Sequence, residues 1–134
     1  MKDIVTKTIE FLKSDPTINS EVSGNIRSFV GQLSVPSKLI TVRADYEESS
    51  EFGVDKARLF IDIWVNKSVA NPIKTAMQLA KLVKDKLNFS GDQLTDQDLT
   101  IYGVRKVSST FAYEDDLGET YRVTLIFEVD EQEP

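Results

Sequence analysis

Histidine and cysteine are both absent from the 134 residues. Without histidine, no side chain has an ordinary pKa near neutrality, and His-containing catalytic triads are excluded. Without cysteine there is no thiolate nucleophile, no Cys-based zinc set and no disulfide framework. No apolar run approaches the length that spans a bilayer. The opening residues, Met1 to Lys13, carry charge throughout and lack an apolar h-region, so no secretory signal is expected and the cytoplasm is the default expectation. Neither GxGxxG nor GxxxxGK[ST] occurs, which removes the dinucleotide and P-loop readings. There is no G-x-S-x-G elbow, and no S-x-x-K with its supporting motifs.

What is present suits a folded protein that works by its surface. The length argues for one domain with a core of its own. Apolar residues make up 40% and charged residues 28%, as in ordinary globular chains rather than disordered ones. Sixteen basic against 22 acidic residues give a net charge of -6. Such a balance disfavours wrapping a phosphate backbone, which depends on local Lys/Arg density. It is compatible with lining a passage through which a nucleic acid slides, which composition alone does not show.

Hydrophobic periodicity lays out the elements. Ile4, Val5, Thr8, Ile9 and Leu12 recur at helical spacing over 3–13, with Phe11 widening the stripe. Ser14-Asp15-Pro16 ends that helix, because the residue before proline avoids the helical region. A further helical turn is possible within 17–24, anchored by Ile18 and Val22. Short strands are expected at 26–30 and 39–43. The strongest strand is 56–66, where Ala57, Leu59, Ile61, Ile63 and Val65 alternate with Arg58, Phe60, Asp62 and Trp64. A long helix is expected over 71–88, with Asn71 as N-cap and Pro72 at the first helical position. Its expected buried stripe is Ile73, Ala76, Met77, Ala80, Val83 and Leu87, widened by Leu79 and Leu82. Residues 100–108 read as strand, and a turn is expected around Gly118. The closing strand carries Tyr121, Val123, Leu125, Phe127 and Val129 on its core face. The whole is an α+β single domain, a mostly antiparallel sheet packed against two helices.

Three groups of residues stand out from this frame. Asp45, Glu47, Glu48, Glu51 and Phe52 fall in a polar stretch that is expected to be a mobile loop at about 45–55. Residues 130–134 are expected to be a flexible charged tail. On the less apolar face of the central strand, Phe60 and Trp64 serve either cross-strand packing or a contact surface. Asp115, Asp116 and Glu119 in one turn, with Asp92, Asp96 and Asp98 in another, are the only carboxylate clusters that invite an enzymatic reading. Turns are ordinarily rich in Asp, so no metal, catalytic residue or cofactor is expected. Arg105 and Lys106 beside Tyr102 lack the extent of a nucleic-acid platform.

Taken in order, these features resemble the small tail-completion, or tail-terminator, proteins of long-tailed bacteriophages, including the siphophage tail-to-head joining protein. The residues that carry the likeness are the helix Ile4 to Leu12 with Asp15-Pro16, the strand Leu39-Ile40-Thr41-Val42, and Phe60-Ile61-Asp62-Ile63-Trp64. They continue with the helix from Asn71 through Leu87, then Tyr102-Gly103-Val104 and the closing strand Tyr121 to Val129. The acidic stretch 45–53 and the region 24–31, where Arg27 is the nearest counterpart, depart from the familiar form. The resemblance implies a virion protein at the head–tail junction, assembled in the host cytoplasm. It implies self-association into a ring, a hexamer, that caps the tail tube and meets the tube protein and a head connector or head-completion protein. DNA would pass through such a ring without specific binding, and no membrane is involved. On that reading Asp45, Glu47, Glu48, Glu51, Phe52, Phe60 and Trp64 are the interface candidates. A non-enzymatic adaptor in another complex and a small carboxylate-dependent enzyme are the alternatives.

Overall fold

The computed structural model describes residues 3–29, 35–46, 55–95, 100–114 and 119–132. Helices α1 (Ile4–Lys13) and α2 (Pro16–Glu21) open the chain, followed by strands β1 (Ile26–Ser28), β2 (Lys38–Tyr46) and β3 (Asp55–Asn66). Helices α3 (Pro72–Leu87) and α4 (Gly91–Leu94) come next, then β4 (Thr100–Glu114) and β5 (Thr120–Gln132). These strands form one sheet in the order β1-β2-β3-β5-β4. Every neighbouring pair is antiparallel except β1 and β2, which run parallel. The α+β class with an antiparallel-dominated sheet is therefore as the periodicity indicates.

Local chemistry sets the helix starts. The Asp3 carboxylate accepts from the Thr6 N–H at 2.8 Å and caps α1. Asp15 accepts from the N–H groups of Thr17 and Ile18, both at 3.0 Å, so the residue that closes α1 also opens α2 with Pro16 behind it. Ile18 and Val22 are buried, as their anchoring role requires. Asn71 is the N-cap residue of α3 with Pro72 behind it, as expected, but its side chain makes no cap bond. It sits at φ 51°, a left-handed conformation that Asn tolerates better than most residues.

One face of the sheet holds the main core. Across it run Ile40 beside Ile63 beside Val123, and Val42 beside Ile61 beside Leu125, all buried. Helix α1 covers the β1–β2 side and α3 covers β3 and β5, while α4 packs on β4. Phe127, fully buried, and its neighbours each contribute about 1.5–3 kcal/mol by leaving water. The strands run further than their sequence patterns. Asp45 and Tyr46 belong to β2, and β5 continues through Asp130 to Gln132. Strand β4 is continuous from Thr100 to Glu114, with register shifts between Ile101 and Gly103 and between Lys106 and Ser108. The second shift changes which residues face the core, which is why the alternation at 100–108 does not carry into Phe111 and Tyr113.

The buried arc of α3 is narrower than its apolar content. Ala76, Leu79, Ala80, Val83 and Leu87 are buried. Ile73 is 47% exposed, Met77 48% and Leu82 37%, so these three are not core as expected. A single sheet face supports one arc of a helix, and the apolar residues on either side of that arc are left facing water.

Candidate interaction surface

Because successive strand residues point to opposite faces, Arg58, Phe60, Asp62 and Trp64 lie on the sheet face away from α1 and α3. Leu39 and Trp64 are register partners, both buried, and both lie outside the main core cluster. They belong to a second, smaller packed layer. Its centre is a row of three residues on adjacent strands, Thr41, Asp62 and Thr124, all buried.

Asp62 is the only carboxylate among the described residues that is buried. It accepts a hydrogen bond from the Thr124 hydroxyl, and the Arg43 Nε lies 3.6 Å from its other oxygen. The Arg43 guanidinium also stands over the Phe60 ring, 4.2 Å from its centroid. One residue pair along, the Trp64 indole N–H donates to Thr41 Oγ1 at 2.9 Å, and the Arg122 guanidinium lies 5.4 Å from the indole centroid. Arg105 on the edge strand β4 pairs with Glu128 on β5, and this pair is open to solvent. Buried polar groups persist only when paired in this way, and an ion and a ring so arranged add a cation–π attraction.

The interface candidates therefore separate. Trp64 is only 2% exposed and fills the second layer of its own chain. Phe60 is half-buried under Arg43, and Asp45 is exposed near the end of β2. Glu47, Glu48, Glu51 and Phe52 lie outside the described residues. So do Asp96, Asp98, Asp115, Asp116 and Gly118; Asp92 is exposed on α4, and Glu119 forms an ion pair with Lys67. Among the described residues, no three acidic side chains come together as a metal site would require. No helix among them is long and apolar enough to cross a membrane.

Two apolar features escaped the sequence reading. One is the exposed stripe on α3 that contains Ile73, Met77 and Leu82. The other is an aromatic cluster where β4 and β5 pass beyond α3. There Tyr121 lies 5.9 Å from the Phe111 ring and 4.9 Å from the Tyr113 ring, and it shares a shallow cavity with Pro72 and Ile73. The alternation of β5 signalled Tyr121, but only the register with β4 places Phe111 and Tyr113 against it.

No protein-family model matches the chain, and no curated protein matches it. Solved structures do. One is a chain described as "Virion of native gene transfer agent (GTA) particle", superposed with a TM-score of 0.77 over 96% of this chain and 93% of that chain. Sequence identity is 14%, so the two share a fold.

Proposed function

We propose that this chain is a non-enzymatic structural protein of a phage-type particle, acting at the junction of tail and head. The observation that carries the reading is the fold shared along nearly the whole length with a chain from a gene transfer agent virion. The order of elements that resembles tail-completion proteins supports the finer assignment. So does the lack of histidine and cysteine, which leaves a chain better equipped for contacts than for chemistry.

In this proposal several copies close into a ring, a hexamer, at the head-proximal end of the tail. The ring stops growth of the tube and offers its other side to a head connector or head-completion protein. Phe60, with Asp45 and the acidic stretch that follows it, faces such a partner. Trp64 contributes by holding that part of the sheet rigid. DNA passes through the ring without base-specific contact.

Deleting the coding sequence and imaging the resulting particles tests the proposal. Filled heads and finished but unattached tails are expected, and the purified protein should restore joining. Normal infectious particles, or complete particles whose head–tail junction has no density for this chain, would overturn it.

A further inference from the structure

We propose that the outer edge of β4 over 108–114 pairs antiparallel with the same edge of a second copy of this chain, about a two-fold axis at Thr110. Such a contact closes on two copies, so it is separate from the contacts of a ring and does not rest on them.

Three observations carry the inference. First, the two halves of this edge strand differ. Strand β4 ends the sheet on one side, while β1 on the other side is only three residues long. Over 101–106 the chain covers its own edge. The Thr95 hydroxyl accepts from the Ile101 N–H at 2.8 Å, and the Val104 carbonyl accepts from the Phe89 N–H at 2.7 Å. The Asn88 side-chain oxygen accepts from the Lys106 N–H at 3.0 Å. Two register shifts and the cations Arg105 and Lys106 add to this protection. From Ser108 to Glu114 the register with β5 is regular and there is no proline. No residue from Val107 to Tyr113 carries a charge, and Val107, Phe111 and Tyr113 are exposed. Among the described residues, none bonds to the outer edge of Ser109 or Phe111. A regular, uncharged edge of this kind is a template for a further strand.

Second, the phase of the ladder shows which groups are on offer. The Lys67 N–H donates to the Glu119 carbonyl, so Thr120 directs its own backbone groups towards β4, as do alternate residues along β5. Their partners Ala112, Thr110 and Ser108 bond inward, and Ser109 and Phe111 direct N–H and C=O outward. The chemistry that matches them is an extended backbone.

Third, the segment is complementary to itself. In antiparallel pairing about Thr110, Ser109 of each copy exchanges both backbone bonds with Phe111 of the other, and each Phe111 lies opposite a small residue. The neutral run is bounded by Lys106 and Glu114, four positions from Thr110 in either direction. Antiparallel pairing sets each lysine towards the glutamate of the other copy. Copies of net charge -6 thus meet where no like charges face each other.

Thr110 is exposed, so it can be changed without touching the core, and on a two-fold axis it meets itself. Wild type should form dimers in sedimentation over a concentration series. Thr110→Lys and Thr110→Glu should each keep the wild-type circular dichroism spectrum and associate about tenfold or more weakly, because like charges then stand directly opposite. Mixed in equal amounts, the two variants should form dimers again. The chain has no cysteine, so Thr110→Cys supplies a single thiol. A pair of this type brings the two Cα atoms to about 4.5 Å, and mild oxidation should yield a disulfide-linked dimer.

If wild type associates and both charged variants do so equally well, the β4 edge is refuted, while a ring built on other surfaces stands. If the variants weaken association but their mixture does not restore it, the two-fold axis at Thr110 is refuted. A monomeric wild type, with no disulfide from Thr110→Cys, overturns the proposal. So does Thr110→Cys carrying a benzophenone that crosslinks, in purified particles, only to a different protein, since that protein's strand then takes the edge.

Discussion

The indole N–H of Trp64 donates to the Thr41 hydroxyl on the neighbouring strand at 2.9 Å, with both residues buried. This bond lies on the sheet face that carries no long helix. It makes the tryptophan a member of the chain's own second layer. Replacing Trp64 with Phe, or Thr41 with Val, should each lower stability by about 1–3 kcal/mol, since each leaves a buried polar partner or a void. The double variant should lose less than the sum of the two. Urea unfolding of the four proteins measures this coupling, and strict additivity would show that the bond contributes nothing.

Asp62 gives a second prediction on the same face. Asp62→Ala removes the acceptor for Thr124 and the anion beside Arg43. A loss of about 2–4 kcal/mol is expected, because it breaks a buried hydrogen-bonded charge network. Asp62→Asn, which keeps an acceptor for the threonine, should lose less. Equal midpoints for Asp62→Ala and wild type in chemical unfolding would contradict this account.

The main core gives a third. Ile63 and Leu125 stand at 0% and 3% exposure on β3 and β5 beneath α3. Aspartate at either position would place an unpaired charge in an apolar interior, and the domain should not fold. Circular dichroism and thermal melting check this; a native spectrum with a cooperative melt in both variants would refute the core assignment.

Phe89 gives a fourth, of opposite sign. It follows α3 at φ 62° and is 77% exposed, so a bulky residue holds a left-handed conformation with little burial in return. Phe89→Gly should stabilise the chain by about 1 kcal/mol, by removing the clash between Cβ and backbone. That is a rise of about 3–6 °C in Tm for a domain of this size. A lower Tm would mean that the ring makes contacts worth more than the strain.

The sequence by itself determined the fold class and most of the elements, though not α4 or the full length of β4. Period-two alternation in 56–66 and 121–129 and the helix stop at Asp15-Pro16 act through neighbours a few positions away, so they can be read along the chain. The absence of histidine and cysteine likewise limited the chemistry before any fold was known. Tertiary structure decided which apolar residues are used inside. The stripe on α3 reads as one broad core face, yet the sheet beneath it accepts only the arc through Ala76, Leu79, Ala80, Val83 and Leu87. Ile73, Met77 and Leu82 were left outside because burial depends on what lies opposite, and helical periodicity carries no information about the facing surface. The same holds for Trp64, which a strand pattern places on the polar face. Only the register with β2, which sets Leu39 beside it and Thr41 within hydrogen-bonding reach, makes that face a packed layer. Strand register is a long-range pairing, and it forms only when distant segments of the chain meet.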